Sequence, residues 1–333
     1  MRGSCTRTAV WAAAVAVWVM SCAVDAATAA APTTIAPLHG ETTIEAYGGV
    51  AAWSDYDAAA RSWHVVVRRA GQISTPPIPT AKKAIEVDVG PGPTGAPMLA
   101  YAACASSCHV VVANVDGSDP RTVPGSRGAS HPTIWGDRVA WVSGAARIMT
   151  SRLNGRERSM LGGLPRRLCL GVSAPHLRPA CQYPAYPSVE ALQLQGRHLA
   201  FIDSFGAPEG TTEVRMEAIT GGPARLVARM NVGLSARTWL GPSWLGGKLY
   251  FYMQSLGAGI AAWSFDPARN TYVKAPAFER LSGFSMINSR QAIVATGPGA
   301  GAECGEAGVG PCLVRLSRRF AFKPSKPLLA TPD

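Results

Sequence analysis

The chain has 333 residues, a formal net charge of +11, and 16% charged against 47% hydrophobic residues. A chain this apolar can offset its ordering entropy by burial, which excludes intrinsic disorder. Its 35 glycines follow no three-residue period, which excludes a collagen-like fibre.

The first predicted element is an address. Arg2 and Arg7 precede and open an apolar run from Thr8 to Met20, and small residues from Ala26 to Ala31 lead to Pro32. These are the parts of a secretory signal, and Ala27-Thr28-Ala29 fits the small-x-small cleavage rule. Residues 1–29 are therefore expected to be a signal peptide. Val19-Met20-Ser21-Cys22 offers a second reading, a lipoprotein signal that ends before Cys22 and leaves a lipid anchor there. The run is short for a spanning helix, and no later stretch is apolar enough, so no membrane span is expected in the mature form. The mature protein is placed outside the cytoplasm, secreted or at the extracytoplasmic cell surface. Its basic residues are mostly arginines, scattered along the chain, which argues against a nucleic-acid-binding stripe. Attraction to anionic envelope polymers is the sharper reading of that charge.

Residues 30–40 read as a linker, and residues 41–330 as one domain built on a repeat of about fifty residues. The unit begins with an apolar strand of small and aromatic residues, usually opened by glycine. It appears as Gly49 to Trp53, Met98 to Tyr101, Gly136 to Trp141, Gly196 to Phe201, Gly247 to Phe251 and Gln291 to Ala295. A loop and a second β-rich run follow each copy: Trp63 to Arg68, His109 to Val115, Ile148 to Leu153, Val214 to Ile219, Ala261 to Phe265 and Cys312 to Leu316. Asp116-Gly117, Asn154-Gly155 and Thr220-Gly221 then supply tight turns into a shorter strand. No long amphipathic helix follows the signal. The pattern predicts an all-β fold, a six-bladed β-propeller of four-stranded antiparallel blades. A pair of β-sandwiches is the rival, but it leaves six equivalent strands unexplained.

The chemistry-bearing residues fall within this rhythm. Asp55-Tyr56-Asp57 could ligate calcium through hard oxygens, although a solvated turn explains it better; no other cofactor is implied. His64 and His109 occupy the same place in their units, each before three valines, so repeat register explains them better than a metal pair. Past the signal, six cysteines form three local pairs, Cys104–Cys108, Cys169–Cys181 and Cys304–Cys312. Six cysteines allow fifteen pairings. Proximity and an oxidising compartment favour these three as disulfides, and without Cys-x-x-Cys a zinc site is disfavoured. Between the third and fourth units, Arg166, Arg167, His176, Arg178, Tyr183 and Tyr186 lie in a stretch that Cys169–Cys181 would pin. Stiff aromatic and arginine side chains on an ordered loop are what binding hot spots use. The glycine-rich stretch Gly297 to Gly310 leads into no helix, so it is not read as a phosphate cradle.

His109-Val110-Val111-Val112-Ala113-Asn114-Val115-Asp116-Gly117-Ser118-Asp119-Pro120-Arg121 resembles the TolB-like β-propeller repeats, with their strand, Asp-Gly turn and Pro-Arg stretch. Ala146 to Glu157 repeats the pattern more loosely. The resemblance implies a six-bladed scaffold that binds protein outside the cytoplasm, and it brings no catalytic residues. The expectation is therefore an exported, monomeric, non-catalytic binding module whose partner is a protein or an envelope polymer. The alternative is an extracellular propeller hydrolase, lyase or lactonase, in which acids such as Glu86, Asp88, Asp203 and Glu213 converge on the central channel.

Overall fold

The computed structural model describes residues 33–39, 42–144, 146–161, 168–169, 184–185, 187–205, 211–231, 237–255, 259–276, 281–288, 291–296, 312–316 and 323–325. All regular elements among them are strands. After β1 (Thr33–Pro37), the first sheet comprises β2 (Ile44–Tyr47), β3 (Val50–Asp57), β4 (Ser62–Arg69) and β5 (Gln72–Ser74). The second comprises β6 (Val87–Pro91), β7 (Pro97–Cys104), β8 (Cys108–Asn114) and β9 (Arg121–Thr122). The third holds β10 (Ala129–Trp135), β11 (Arg138–Ser143), β12 (Arg147–Arg152) and β13 (Ser159–Met160). A two-stranded ribbon, β14 (Leu168–Cys169) with β15 (Pro184–Ala185), precedes the fourth sheet. That sheet runs β16 (Pro187–Gln195), β17 (His198–Phe205), β18 (Thr211–Ala218) and β19 (Arg225–Asn231). The fifth sheet is β20 (Arg237–Leu245), β21 (Lys248–Ser255), β22 (Gly259–Asp266) and β23 (Thr271–Pro276). The last contains β24 (Leu281–Asn288), β25 (Gln291–Thr296) and β26 (Cys312–Leu316).

Every sheet is antiparallel with its strands in chain order from the inside outward, except that β1 is the outermost strand of the last. The inner strands β2, β6, β10, β16, β20 and β24 neighbour one another in a closed circle. Five sheets have four strands, and the fifth in chain order has five, because β27 (Lys323–Ser325) pairs with β23. The expected propeller is present, with that one departure from uniform four-stranded blades. Among the described residues no helix is long and apolar enough to cross a membrane.

The recurring small-plus-aromatic pair has a packing reason. On the second strand of each sheet, successive side chains point to opposite faces, so one meets the following sheet and the next meets the preceding one. Ala52 and Tyr101 share one buried cluster, Ala100 and Trp141 another, Ala140 and Phe201 a third, and Ala200 and Phe251 a fourth. The small residue of one sheet leaves the room that the aromatic of the next sheet fills. At the sixth sheet the equivalent marker is Val294, one residue before the Ala295 that the sequence pattern selected. Ile293 lies opposite Ser285, as Ala52 lies opposite Glu45, and Ile293 packs in the Trp53 cluster.

One segment takes a role that local sequence did not suggest. Thr33–Pro37, expected as linker, pairs with β26 (Thr33 opposite Arg315, Pro37 opposite Cys312) and so becomes the outer strand of the last sheet. The three C-terminal strands would otherwise leave a row of unpaired backbone groups along that edge, and β1 satisfies them. Cys104 and Cys108, directly opposite each other at the β7–β8 hairpin end, form a disulfide. The strands β14 and β26 begin or end at Cys169 and Cys312, while Cys181 and Cys304 lie outside the described residues, as do the side chains of all four.

Candidate functional site at the ring axis

Each inner strand carries one polar residue at the same register position, flanked by apolar residues: Glu45, Asp88, Thr133, Gln193, Ser243 and Ser285. Their cross-strand partners are Ala52, Ala100, Ala140, Ala200, Tyr250 and Ile293. Four of these side chains reach the backbone amide one residue beyond the equivalent position in the next sheet. Asp88 Oδ2 accepts from Ile134 N at 2.8 Å, and Thr133 Oγ1 accepts from Leu194 N at 2.9 Å. Gln193 Oε1 accepts from Trp244 N, and Ser243 Oγ accepts from Met286 N at 3.0 Å. The side chains also bond to one another, since the Thr133 hydroxyl donates to Asp88 Oδ2 at 2.8 Å. Gln193 Nε2 donates to Glu45 Oε2 at 2.8 Å, joining the fourth sheet to the first across the axis.

Burial governs the charge of the two axial acids. It pushes Asp88 up to about 6, against the hydrogen bonds from Ile134 and Thr133 that favour the anion. It also pushes Glu45 well above the usual carboxylate range, and the nearby charge of Asp88 adds to that rise. Next to them the axis holds a cavity of about 10 Å³, measured as the space open to the centre of a water molecule, bounded among others by Tyr47, Asp88, Gly90, Trp135, Gln193 and Trp244.

The end of the channel where the inner strands begin is built differently. Four successive inner strands bulge near this end: His131-Pro132 oppose one residue in β10, as Gly241-Pro242 do in β20, and Glu190 in β16 and Ser282 in β24 have no register partner. Bulges re-aim side chains, and they cluster beside binding and active sites. His131 takes the left-handed conformation (φ 47°), rare for a residue with a Cβ. Its amide donates to Glu86 Oε2, and its Nδ1 stands 3.5 Å from Glu86 Oε1. Glu190 accepts from Ser188 and Ser204, each at 2.6 Å. Its partial burial favours the neutral acid. These hydroxyls and the field of His131 outweigh that and hold its carboxyl below the ordinary value. The mouth thus presents two carboxylates, one imidazole and two hydroxyls at an accessible rim.

The four acids named from sequence do not converge on one point. Glu86 belongs to the mouth and Asp88 to the axial ring, two residues apart on β6. Asp203 and Glu213 stand opposite each other on β17 and β18. Glu213 accepts from Arg215 Nε at 2.6 Å and from Arg229 Nε at 2.5 Å, and Arg215 Nε also lies 3.3 Å from Asp203. Burial pushes Asp203 up to about 7, in spite of Arg215. This group is an internally compensated ion cluster. Asp57 Oδ1 caps the Ala59 and Ala60 amides of the β3–β4 turn, and Asp55 accepts from the His39 amide at 3.0 Å. His64 and His109 each stand two positions before the strand partner of their unit's aromatic marker, which is the repeat equivalence read from sequence. Arg166, Arg167, His176, Arg178, Tyr183 and Tyr186 lie outside the described residues.

Sequence reasoning missed the axial ring and the bulged mouth. The ring had a readable signal, a single polar residue between apolar neighbours, seven or eight residues before its partner on the marker strand in every sheet but the second, where Asp88 precedes Ala100 by twelve. The bulges had none, because a bulge is a register difference between two strands.

No family model and no curated protein matches the chain. Among solved structures, TolB from Acinetobacter baumannii aligns with a TM-score of 0.50 at 13% identity, over 84% of this chain and 64% of that one. A puromycin-hydrolyzing peptidase from Mycobacterium tuberculosis aligns at 0.47 and 13% identity, over 87% of this chain and 53% of its own. The β-propeller domain of the Trilobed protease from Pyrococcus furiosus aligns at 0.47 and 10% identity, over 89% and 99%. This chain therefore spans about two thirds of the TolB chain and about half of the peptidase. The sheet order and the likeness to TolB define the class: the chain is a β-propeller. A likeness at this level shows the fold alone, and a fold by itself selects no activity.

Proposed function

We propose that the chain is an exported, non-catalytic propeller of TolB-like type that binds a protein or an envelope polymer through the mouth of its channel. The observation that carries this reading is the rim formed by Glu86, His131 and Glu190, raised into reach by the bulges in β10 and β16. Most polar groups deeper on the axis are taken up in joining sheets, whereas the rim groups remain accessible, and carboxyls there suit basic side chains or amines. Loop residues Arg178 and Tyr186 form a second proposed contact. The test is recovery of a partner from envelope extract by the full mature chain. A Glu86→Gln/Glu190→Gln variant and an Arg178→Ala/Tyr186→Ala variant are each expected to lower recovery at least tenfold, and unchanged recovery by both overturns the reading. Export has its own test: the mass of the secreted form distinguishes cleavage after Ala29 from lipidation at Cys22.

A second reading, a hydrolase or lactonase, is favoured by one contact, the pairing of His131 with Glu86 at an open mouth. A carboxylate that orients an imidazole can serve general-base chemistry. Turnover of any member of an ester, lactone and glycoside panel, abolished by His131→Asn, would replace the binding reading with this one.

A further inference from the structure

Asp88 is 4% exposed, and its Oδ2 takes the two donors that reach it, Thr133 and Ile134. Its Oδ1 is buried with no well-formed hydrogen bond, and the adjoining Val89 amide adds only the weakest of the backbone and side-chain pulls toward the anion. An acceptor left so in a low-dielectric interior costs roughly 1–3 kcal/mol, more when charged. The second axial carboxylate, Glu45, is close enough to feel the charge of Asp88. The residues around the axial cavity include no lysine, arginine or histidine. Gln193 cannot serve Asp88, since its Nε2 is given to Glu45 and its Oε1 is an acceptor occupied by the Trp244 amide. The axis thus combines a bare carboxylate oxygen, a second acid, room for one water-sized particle, and two aromatic rings, Tyr47 and Trp135, 5.5 Å apart edge to face. Aromatic faces and carboxylates share one kind of guest, a cation.

We propose that this cavity binds one small monovalent cation, of the size of ammonium, sodium or potassium, at Asp88 Oδ1 beside Tyr47 and Trp135, with the Glu45 carboxylate outside the cavity wall adding its field. A divalent ion fits poorly. It requires six or more oxygen ligands or several retained waters, and among the described residues no three His, Cys, Asp or Glu side chains are grouped to hold a metal. A single positive charge balances one carboxylate, while the other keeps its proton. The site lies deeper than the rim and stands whether the rim binds a partner or a substrate.

The experiment is thermal unfolding of the full mature chain at pH 7.5 and constant ionic strength. Ammonium, sodium or potassium chloride is compared with choline chloride, whose cation is too large for the cavity. The small cations are expected to raise the melting temperature by several degrees over choline, as a ligand selective for the native state must. Asp88→Asn, which keeps an acceptor for Thr133 and Ile134, should erase that difference. If Asp88→Asn does not fold, Glu45→Gln is read in its place, and titration of ammonium into the native chain, followed by Trp135 and Trp244 fluorescence, supplies a readout without unfolding. Equal melting temperatures in all four salts, or a difference that survives both substitutions, overturns the proposal and leaves the cavity to a water molecule.

Discussion

The Thr133 hydroxyl donates to Asp88 in the second sheet and accepts the Leu194 amide of the fourth, so one side chain in the third sheet binds both of its neighbours. Thr133→Val keeps the shape and removes both bonds, leaving a buried amide and a buried carboxylate oxygen short of a partner. A loss of about 2–4 kcal/mol is expected in denaturant unfolding. Thr133→Ser should restore most of it, and a Val variant as stable as the parent would show that the link is idle.

Stability should fall as pH rises across the acid range. Burial raises Asp88 to about 6 and Asp203 to about 7, so the folded chain holds protons that the unfolded chain has released above about pH 4. The stability tied to these two acids is full below their ordinary value and lost as pH climbs through 6 and 7. About 3 kcal/mol for Asp88 and about 4 kcal/mol for Asp203 are upper bounds. Glu190, held low, acts with the opposite sign at more acidic pH. Calorimetry is expected to give a higher melting temperature at pH 5 than at pH 7.5, and Asp88→Asn should flatten the lower part of that slope. A profile rising from 5 to 7.5 contradicts the assignment.

Gly90 sits where the second and third sheets come closest. A Cβ there would lie 2.0 Å from the Ile134 carbonyl oxygen, a backbone atom that cannot step aside. Gly90→Ala is expected to cost more than about 3 kcal/mol or to abolish folding. Gly136, a turn glycine at φ +66° with open space around it, should cost only about 1 kcal/mol as alanine. Parallel expression and melting of the two variants checks the contrast.

The marker strands of the first four sheets were legible because burial imposes a small residue and an aromatic on each, a local demand that repeats, and the last two keep only the apolar run. The third strands and their Asp-Gly and Asn-Gly turns were legible for the same reason, and so was the Cys104–Cys108 pin at a hairpin end. Thr33–Pro37 was not, since its partner Arg315–Cys312 lies at the far end of the chain and nothing in Thr-Thr-Ile-Ala-Pro names it. Glu86 and Asp88 could be suspected from their type but not separated into rim and axis. That division depends on His131 and Glu190, which local bulges bring to the mouth.

Removing residues 1–37, rather than 1–29, should bare the β26 edge. The expected result is a broadened melt with self-association in light scattering, because an uncovered strand edge is a template for another chain. A monodisperse, cooperatively melting product would mean that β1 is dispensable.

The β1–β26 seam also sets a timetable. Its two threads are the first and nearly the last of the ordered strands to leave the ribosome, so a nascent chain can build leaflets but never close the circle. Completion waits for β26 to emerge. A chain obliged to stay open that long suits the proposed export, and a pull on its two ends would load the β1–β26 stitch from the N-terminal side and the β27–β23 pairing from the C-terminal side.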